Sequence, residues 1–152
     1  MTRLLLHACC APCSLEPVRL LCEEGFEPTI CWTNPNIQPV EEHDRRLTEL
    51  RRWCAVEGIP LIEAEEDAVR WERSVAPIGA EARERRCRAC YAMRLTEACC
   101  AAEREGFTHI ATTLAVSPYQ LFETCNDVLC RLASARGLTP VIRDFRPWYP
   151  EA

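Results

Sequence analysis

The sequence contains no apolar run approaching the roughly 20 residues that a membrane-spanning helix requires. Its N-terminal stretch Leu4-Leu5-Leu6 is also far shorter than the roughly 7 to 15 apolar residues of a secretory signal core. Membrane insertion and export are both disfavoured, and a cytoplasmic protein is expected. Phosphate-cradling loops are missing as well. No Gly-x-Gly-x-x-Gly, Walker A or Ser-Gly-Gly-x-Asp-Ser pattern follows the first apolar segment, where Cys9 to Ser14 stands instead, so nucleotide binding by those loops is disfavoured. There is no internal repeat, low-complexity tract or interdomain linker. A formal net charge of −5 argues against nonspecific nucleic-acid binding by the whole surface. Arg83, Arg85, Arg86, Arg88 and Arg94 nevertheless gather positive charge in one segment, which leaves room for a local anionic partner.

What is present suits one domain over residues 1–152. The chain is long enough for a real core, and 48% apolar with 27% charged residues is ordinary for a globular protein. Twelve cysteines would suggest a disulfide framework in a secreted chain. Embedded in periodic segments of a cytosolic pattern, they favour reduced thiols and metal ligation.

The periodicity alternates between strand and helix. Arg3 to Ala8 reads as a buried strand, and Ser14 as the cap of a helix carrying Leu15, Val18 and Cys22 up to Gly25. A strand from Pro28 to Thr33 leads through Asn34-Pro35-Asn36 into a helix opened by Pro39, with His43, Leu47, Leu50 and Cys54 on one face and Gly58 at its end. A third strand, Ile59 to Ala64, precedes a helical stretch around Val69, Trp71 and Val75. Gly79 to Arg88 reads as a loop or short helix, and Tyr91, Leu95, Ala98 and Ala102 mark a helix that stops at Gly106. Thr108 to Leu114 is a fourth strand. Ser117 and Gln120 form a capping box for a helix with Leu121, Cys125, Val128 and Leu132 inward, and Leu138 to Arg143 is a fifth strand. Such alternation predicts an α/β, Rossmann-like three-layer sandwich with a mainly parallel five-stranded sheet. Ligands of such sheets gather beyond the strand carboxyl ends, so Cys9-Cys10, Asn34-Pro35, Glu65 to Asp67, Thr112-Thr113 and Asp144 are expected on one rim.

Two cysteine groups carry the chemistry. Cys9 and Cys10 cannot point the same way from a regular strand, so they suit an irregular turn just past it. Cys87 and Cys90 are expected at or in the first turn of a helix, whose free N–H groups favour thiolates. Four sulfurs permit either tetrahedral zinc or an iron–sulfur cluster, and spacing does not choose between them. Cys13 is either a packed thiol or a ligand to a second metal. Cys22, Cys31, Cys54, Cys99, Cys100, Cys125 and Cys130 read as small core residues. Asn34, Asn36, Thr112, Thr113, Ser117 and Tyr119 are either turn and cap residues or substrate contacts on the rim. Asp67 and Asp144 are either turn residues or groups that hold iron or relay protons, and His7 reads as a structural hydrogen-bonding residue.

Five sequences in order, His7-Ala8-Cys9-Cys10-Ala11-Pro12-Cys13, Asn34-Pro35-Asn36-Ile37-Gln38-Pro39, Arg86-Cys87-Arg88-Ala89-Cys90-Tyr91 with Arg94-Leu95, Thr112-Thr113-Leu114 with Ser117-Pro118-Tyr119, and Asp144-Phe145-Arg146, strongly resemble the QueH family of epoxyqueuosine reductases. The resemblance implies a HUP-like fold. It also implies cobalamin-independent removal of the epoxide oxygen of epoxyqueuosine at the wobble position of tRNA, the last step of queuosine synthesis. Cys9, Cys10, Cys87 and Cys90 match the family's ligands to a 4Fe–4S cluster, and Cys13 matches a motif cysteine suited to an adjacent mononuclear iron. The implied partners are tRNA containing epoxyqueuosine and an unidentified electron donor, with no membrane. Gly79 to Arg86 follows the family's glutamate-rich lead-in only loosely. Family members continue into a tail near a Tyr-Cys-Gly-Cys sequence associated with a redox-active disulfide, whereas these 152 residues stop soon after Arg146. A truncated chain is therefore expected, or substitution by Cys99 with Cys100 or Cys125 with Cys130. The competing readings are a zinc-binding interaction module and a thiol oxidoreductase using Cys87 and Cys90.

Overall fold

The computed structural model describes residues 1–150. Five strands form one all-parallel sheet: β1 (Thr2–Ala8), β2 (Phe26–Trp32), β3 (Leu61–Glu63), β4 (His109–Thr112) and β5 (Thr139–Pro140), in the order β3-β2-β1-β4-β5. The central strand β1 has Leu4, Leu5 and Leu6 fully buried, as expected of a strand covered on both faces. Alternation along it divides the core. Leu4, Leu6 and Ala8 pack with Leu21 of α1 (Leu15–Glu23) and with Leu47 and Leu50 of α2 (Val40–Glu57). Leu5 packs on the other face with Leu95 and Ala98 of α4 (Arg83–Arg104) and Leu129 of α5 (Phe122–Ala135). Each buried leucine contributes about 2 kcal/mol. A short helix α3 (Ala68–Ser74) lies between β3 and α4. Among the described residues no helix is long and apolar enough to cross a membrane.

The chain leaves β1 toward α1 on one face and leaves β4 toward α5 on the other. β1 and β4 are neighbours, so their carboxyl ends flank the crevice where strand order reverses.

Several element boundaries differ from the sequence expectation, each for a local reason. Ser14 does not cap α1: its hydroxyl donates to the Cys10 carbonyl at 2.7 Å, within a 3-10 turn over Pro12–Ser14. The buried side of α1 is Pro17 and Leu21, which leaves Leu15 and Cys22 exposed and Val18 half-buried. The expected capping box at Ser117 and Gln120 is instead a turn, in which the Ser117 hydroxyl accepts from the Tyr119 N–H. α5 starts five residues later, at Phe122, because the Tyr91 hydroxyl holds the loop. That hydroxyl donates to Gln120 Oε1 at 2.6 Å and accepts from the Leu121 N–H at 3.0 Å. β5 is only two residues long; it lies at the sheet edge, where Pro140 lacks a donor to extend the ladder. At α2 the expected stop is found, with Gly58 at φ 69° supplying the left-handed residue that ends the helix.

Candidate metal centre

Beyond Ala8 the backbone leaves β1 and folds through the Pro12–Ser14 turn, locked by the Ser14 N–H to the Ala11 carbonyl at 2.9 Å. This turn folds three thiols together: the sulfurs of Cys9, Cys10 and Cys13 all lie within 4.8 Å of one another. Cys9 and Cys10 Sγ are 4.0 Å apart, and Thr113 Oγ1, just past β4, is 3.9 Å from Cys9 Sγ. The group therefore stands at the switch point between β1 and β4. Its proton distribution is asymmetric. Contacts with Cys10 and Cys13, helped by the charge of Arg94, hold Cys9 well below the usual thiol range despite its burial. Cys10 is drawn down by its bond with Cys13 but pushed up to about 11 overall by its bond with Cys9 and by burial. Bonds to Cys10 and Cys9 raise Cys13. Three sulfurs this close, with Cys9 drawn toward its thiolate form, suit a cation.

Cys87 and Cys90 do not join that compact group. They lie on α4, which begins at Arg83, so they stand in its second turn. The expected role for free helix N–H groups therefore does not apply, because the unsatisfied donors belong to Arg83 through Arg86. Cys90 is instead approached by side chains: Trp71 Nε1–H donates to its sulfur at 3.4 Å, and Arg94 Nη1 lies 3.9 Å away. Trp71, Val75, Arg83 and Arg86 join Cys87 and Cys90 around a cleft of about 330 Å³.

Arg94 links the two thiol groups. It is 4% exposed, and its Nη2 donates to Asn34 Oδ1 at 2.6 Å. The Asn34 Nδ2 donates to the Ala8 carbonyl at 2.9 Å, and its backbone N–H is taken by Glu66 at 2.7 Å. Arg94 Nε has no partner. A buried guanidinium beside Cys90, with its charge acting on Cys9, suits an anionic metal–sulfur group, because thiolate ligands carry the compensating charge.

His7 closes the crevice floor. Its Nε2 lies 3.1 Å from the Thr33 carbonyl, which can only accept, so that nitrogen carries the proton. Its Nδ1 therefore accepts from the Thr112 hydroxyl at 3.0 Å, and Thr112 Oγ1 accepts from the Leu114 N–H at 3.1 Å. Burial, and then Arg94, push the imidazole down to about 4 from 6.5. Between those values the unfolded chain binds the extra proton. The contribution is complete above pH 6.5 and is lost as pH falls toward 4, by about 3 kcal/mol. Urea unfolding of the metal-free protein across that window should show the decline, and a His7→Gln variant should flatten it. Parallel profiles for the two proteins would refute this account.

The remaining expected residues fall into two sets. Thr112, Thr113 and Asn34 are at the crevice but buried, and their polar groups serve the His7, Cys9 and Arg94 contacts described above. Asn36 is half-buried with Oδ1 unpartnered. Ser117 lies in the turn before α5, and Tyr119 is 73% exposed with its carbonyl held by Arg83 at 2.8 Å. Asp67 caps α3 by accepting from the Arg70 N–H at 2.9 Å and lines an acidic cleft with Glu65 and Glu66. Asp144 does not join the Cys9–Cys10–Cys13 group. After β5 the chain crosses to the α1 face, where Arg143 pairs with Glu24 past the far end of α1, and the Asp144 carboxylate is bound by Arg146. That pairing holds Asp144 down to about 2. All twelve cysteines are free thiols; Cys31, Cys54, Cys99 and Cys125 are buried, with burial pushing each up, to between about 11 and 12. The sequence reading missed Arg94 as a core residue, Trp71 as a neighbour of Cys90, and the Glu66–His43 pair at 3.0 Å. One signal was available: Arg94 occupies the inward stripe of α4 between Tyr91 and Ala98.

Comparison with known proteins identifies the family. A model described as epoxyqueuosine reductase QueH matches residues 4–151. Curated proteins named Epoxyqueuosine reductase QueH are 36% identical over 133 residues in Acinetobacter baylyi, 32% over 153 in Dehalococcoides mccartyi and 37% over 119 in Haemophilus influenzae. The matches cover 87%, 99% and 78% of this chain, and 61%, 81% and 49% of those proteins. A solved structure described as a predicted subunit of tRNA methyltransferase from Methanocaldococcus jannaschii superposes with a TM-score of 0.65 at 8% identity, over 93% of this chain and 67% of that one. It shares the fold, a Rossmann-like α/β sandwich. With thiols gathered at the switch point of that fold and a family match running from the first strand to the C-terminal residues, the chain belongs to the epoxyqueuosine reductase QueH family.

Proposed function

We propose that this protein reduces epoxyqueuosine to queuosine at the wobble position of tRNA. The reading is carried by the coincidence of the family match with three thiols gathered at the switch point and a buried guanidinium that touches Cys90. Two electrons and two protons convert the epoxide to an alkene and water. Cys9, Cys10, Cys87 and Cys90 would hold a 4Fe–4S cluster, and Cys13 would serve an adjacent iron. When bound, these groups supply the electrons and a Lewis acid for the epoxide oxygen. The chain's own part is to present Cys9 as a thiolate, to offset thiolate charge with Arg94, and to hold the crevice floor through His7 and Thr112.

One observation favours a second reading. A tetrahedral ion with sulfur ligands at about 2.3 Å sets those sulfurs about 3.8 Å apart, close to the 4.0 Å between Cys9 and Cys10. A single zinc on the Cys9–Cys10–Cys13 turn would make a colourless interaction module. Anaerobic reconstitution, iron and sulfide analysis, and mass spectrometry of tRNA nucleosides separate the two. The proposed activity requires a brown, iron-loaded protein that converts epoxyqueuosine to queuosine under chemical reduction. Intact epoxyqueuosine with a fully loaded cluster would refute it.

A further inference from the structure

Among the described residues, ten of the eighteen arginines pair with carboxylates. The eight others are unevenly placed. Arg94 is buried at the thiols, Arg3 covers the Phe107 ring at 4.1 Å, and Arg52 stands alone on α2. The remaining five, Arg70, Arg73, Arg83, Arg85 and Arg86, all lie on α3 or the first turn of α4. Residues 68–90 hold six arginines against three glutamates, in a chain whose net charge is −5. Arg70 faces the acidic cleft of Glu65, Glu66, Asp67 and Glu97, so the positive charge of this shoulder is that of Arg73, Arg83, Arg85 and Arg86.

That shoulder contains the cleft of about 330 Å³ formed by Trp71, Val75, Arg83, Arg86, Cys87 and Cys90. Its volume lies at the low end of the range for small-ligand pockets, about 300 to 1,000 Å³. Arg83 also donates to the Tyr119 carbonyl, which ties an aromatic ring that is 73% exposed to the same rim. Tyr119 stacks edge-on with Tyr149, with ring centroids 6.3 Å apart. Guanidinium groups without a carboxylate partner beside an exposed aromatic ring are a combination that binds single-stranded RNA, phosphates on the former and bases against the latter.

We infer that the α3–α4 shoulder is the docking surface for an RNA loop, and that the Trp71–Arg86 cleft receives one unstacked nucleotide of that loop. Arg83 and Arg86 take its phosphates, and Tyr119 stacks a neighbouring base. Because Cys87 and Cys90 line the same cleft, the nucleotide that enters it is delivered to the thiol centre, as chemistry on a base within RNA requires. The inference rests on the RNA-modifying reading above and adds the surface that performs the recognition.

The test is fluorescence anisotropy with a synthetic anticodon stem–loop RNA and the anaerobically prepared 152-residue chain, with a duplex RNA of equal length as competitor. Arg83→Gln with Arg86→Gln should raise Kd about tenfold and lower the salt slope by about 1 to 2. Tyr119→Ala, at an exposed site that does not endanger the fold, should weaken stem–loop binding about tenfold with little effect on duplex binding. Arg52→Gln, the loss of one carboxylate-free arginine on α2, should bind as wild type. Variants that bind like Arg52→Gln, or that lose stem–loop and duplex binding equally, would overturn the surface while leaving the reductase reading intact. Failure of the wild-type chain to bind the stem–loop at all would overturn both.

Discussion

Replacing Cys9 by alanine is expected to remove most of the iron from anaerobically reconstituted protein and to lower epoxyqueuosine reduction more than about a hundredfold, a larger loss than the 10- to 100-fold typical of residues that only support metal ligands. Cys9 is the thiol best prepared for a metal, since its contacts with Cys10 and Cys13 and the charge of Arg94 all favour its thiolate. Its position past β1 also matters: the neighbouring Thr113 contact spans 104 residues of sequence, so the sulfur is placed by two strands and not by a mobile loop. Cys87→Ala is the informative companion. Joint ligation by the two groups predicts that both variants lose iron. A single ion on the Cys9–Cys10–Cys13 turn would be retained by Cys87→Ala, and a thiol oxidoreductase built on Cys87 and Cys90 would keep its redox activity in Cys9→Ala. Iron and sulfide content, the visible spectrum and nucleoside analysis on the two variants therefore decide among the three arrangements.

Asn34→Ala is expected to be the most destabilising polar substitution at the site, by about 3 kcal/mol. Asn34 spans the gap between the Ala8 carbonyl and Arg94 Nη2. Its loss leaves a buried carbonyl without a donor and a buried guanidinium without its acceptor, while Arg94 Nε already lacks one. Against a typical total of about 5 to 15 kcal/mol this is a large fraction. With a urea slope of about 2 kcal/mol/M the midpoint should fall by about 1.5 M. Asn34→Asp should recover part of the loss, because a carboxylate accepts from Arg94 but cannot donate to Ala8. A midpoint for Asn34→Ala within about 0.3 M of wild type would show that the bridge is not what holds Arg94 in place.

The two predictions draw on different kinds of information. The thiols of the first were visible along the chain, because strand periodicity ends at Ala8 and places Cys9 and Cys10 in the following turn. Asn34 was visible as a rim residue, yet its bridging role depends on Arg94, sixty positions away. Local pattern identifies an arginine on an inward stripe but not its partner.

By itself the sequence determined the alternation of strands and helices, and hence a parallel sheet whose carboxyl edge carries the cysteines. Periods of 2 and 3.6 residues are local and survive without knowledge of distant contacts. Several helix starts were misplaced for the complementary reason. The Ser14 and Ser117 hydroxyls had alternative local partners, and the start of α5 was set by Tyr91 from another helix. Only the tertiary structure decided that Cys13 joins Cys9 and Cys10, that Cys87 and Cys90 form a separate wall with Trp71, and that Asp144 is paired with Arg146. It alone buried Arg94 between the two thiol groups. A charged side chain is buried only where several distant segments together satisfy it, and no stretch of sequence read alone carries that arrangement.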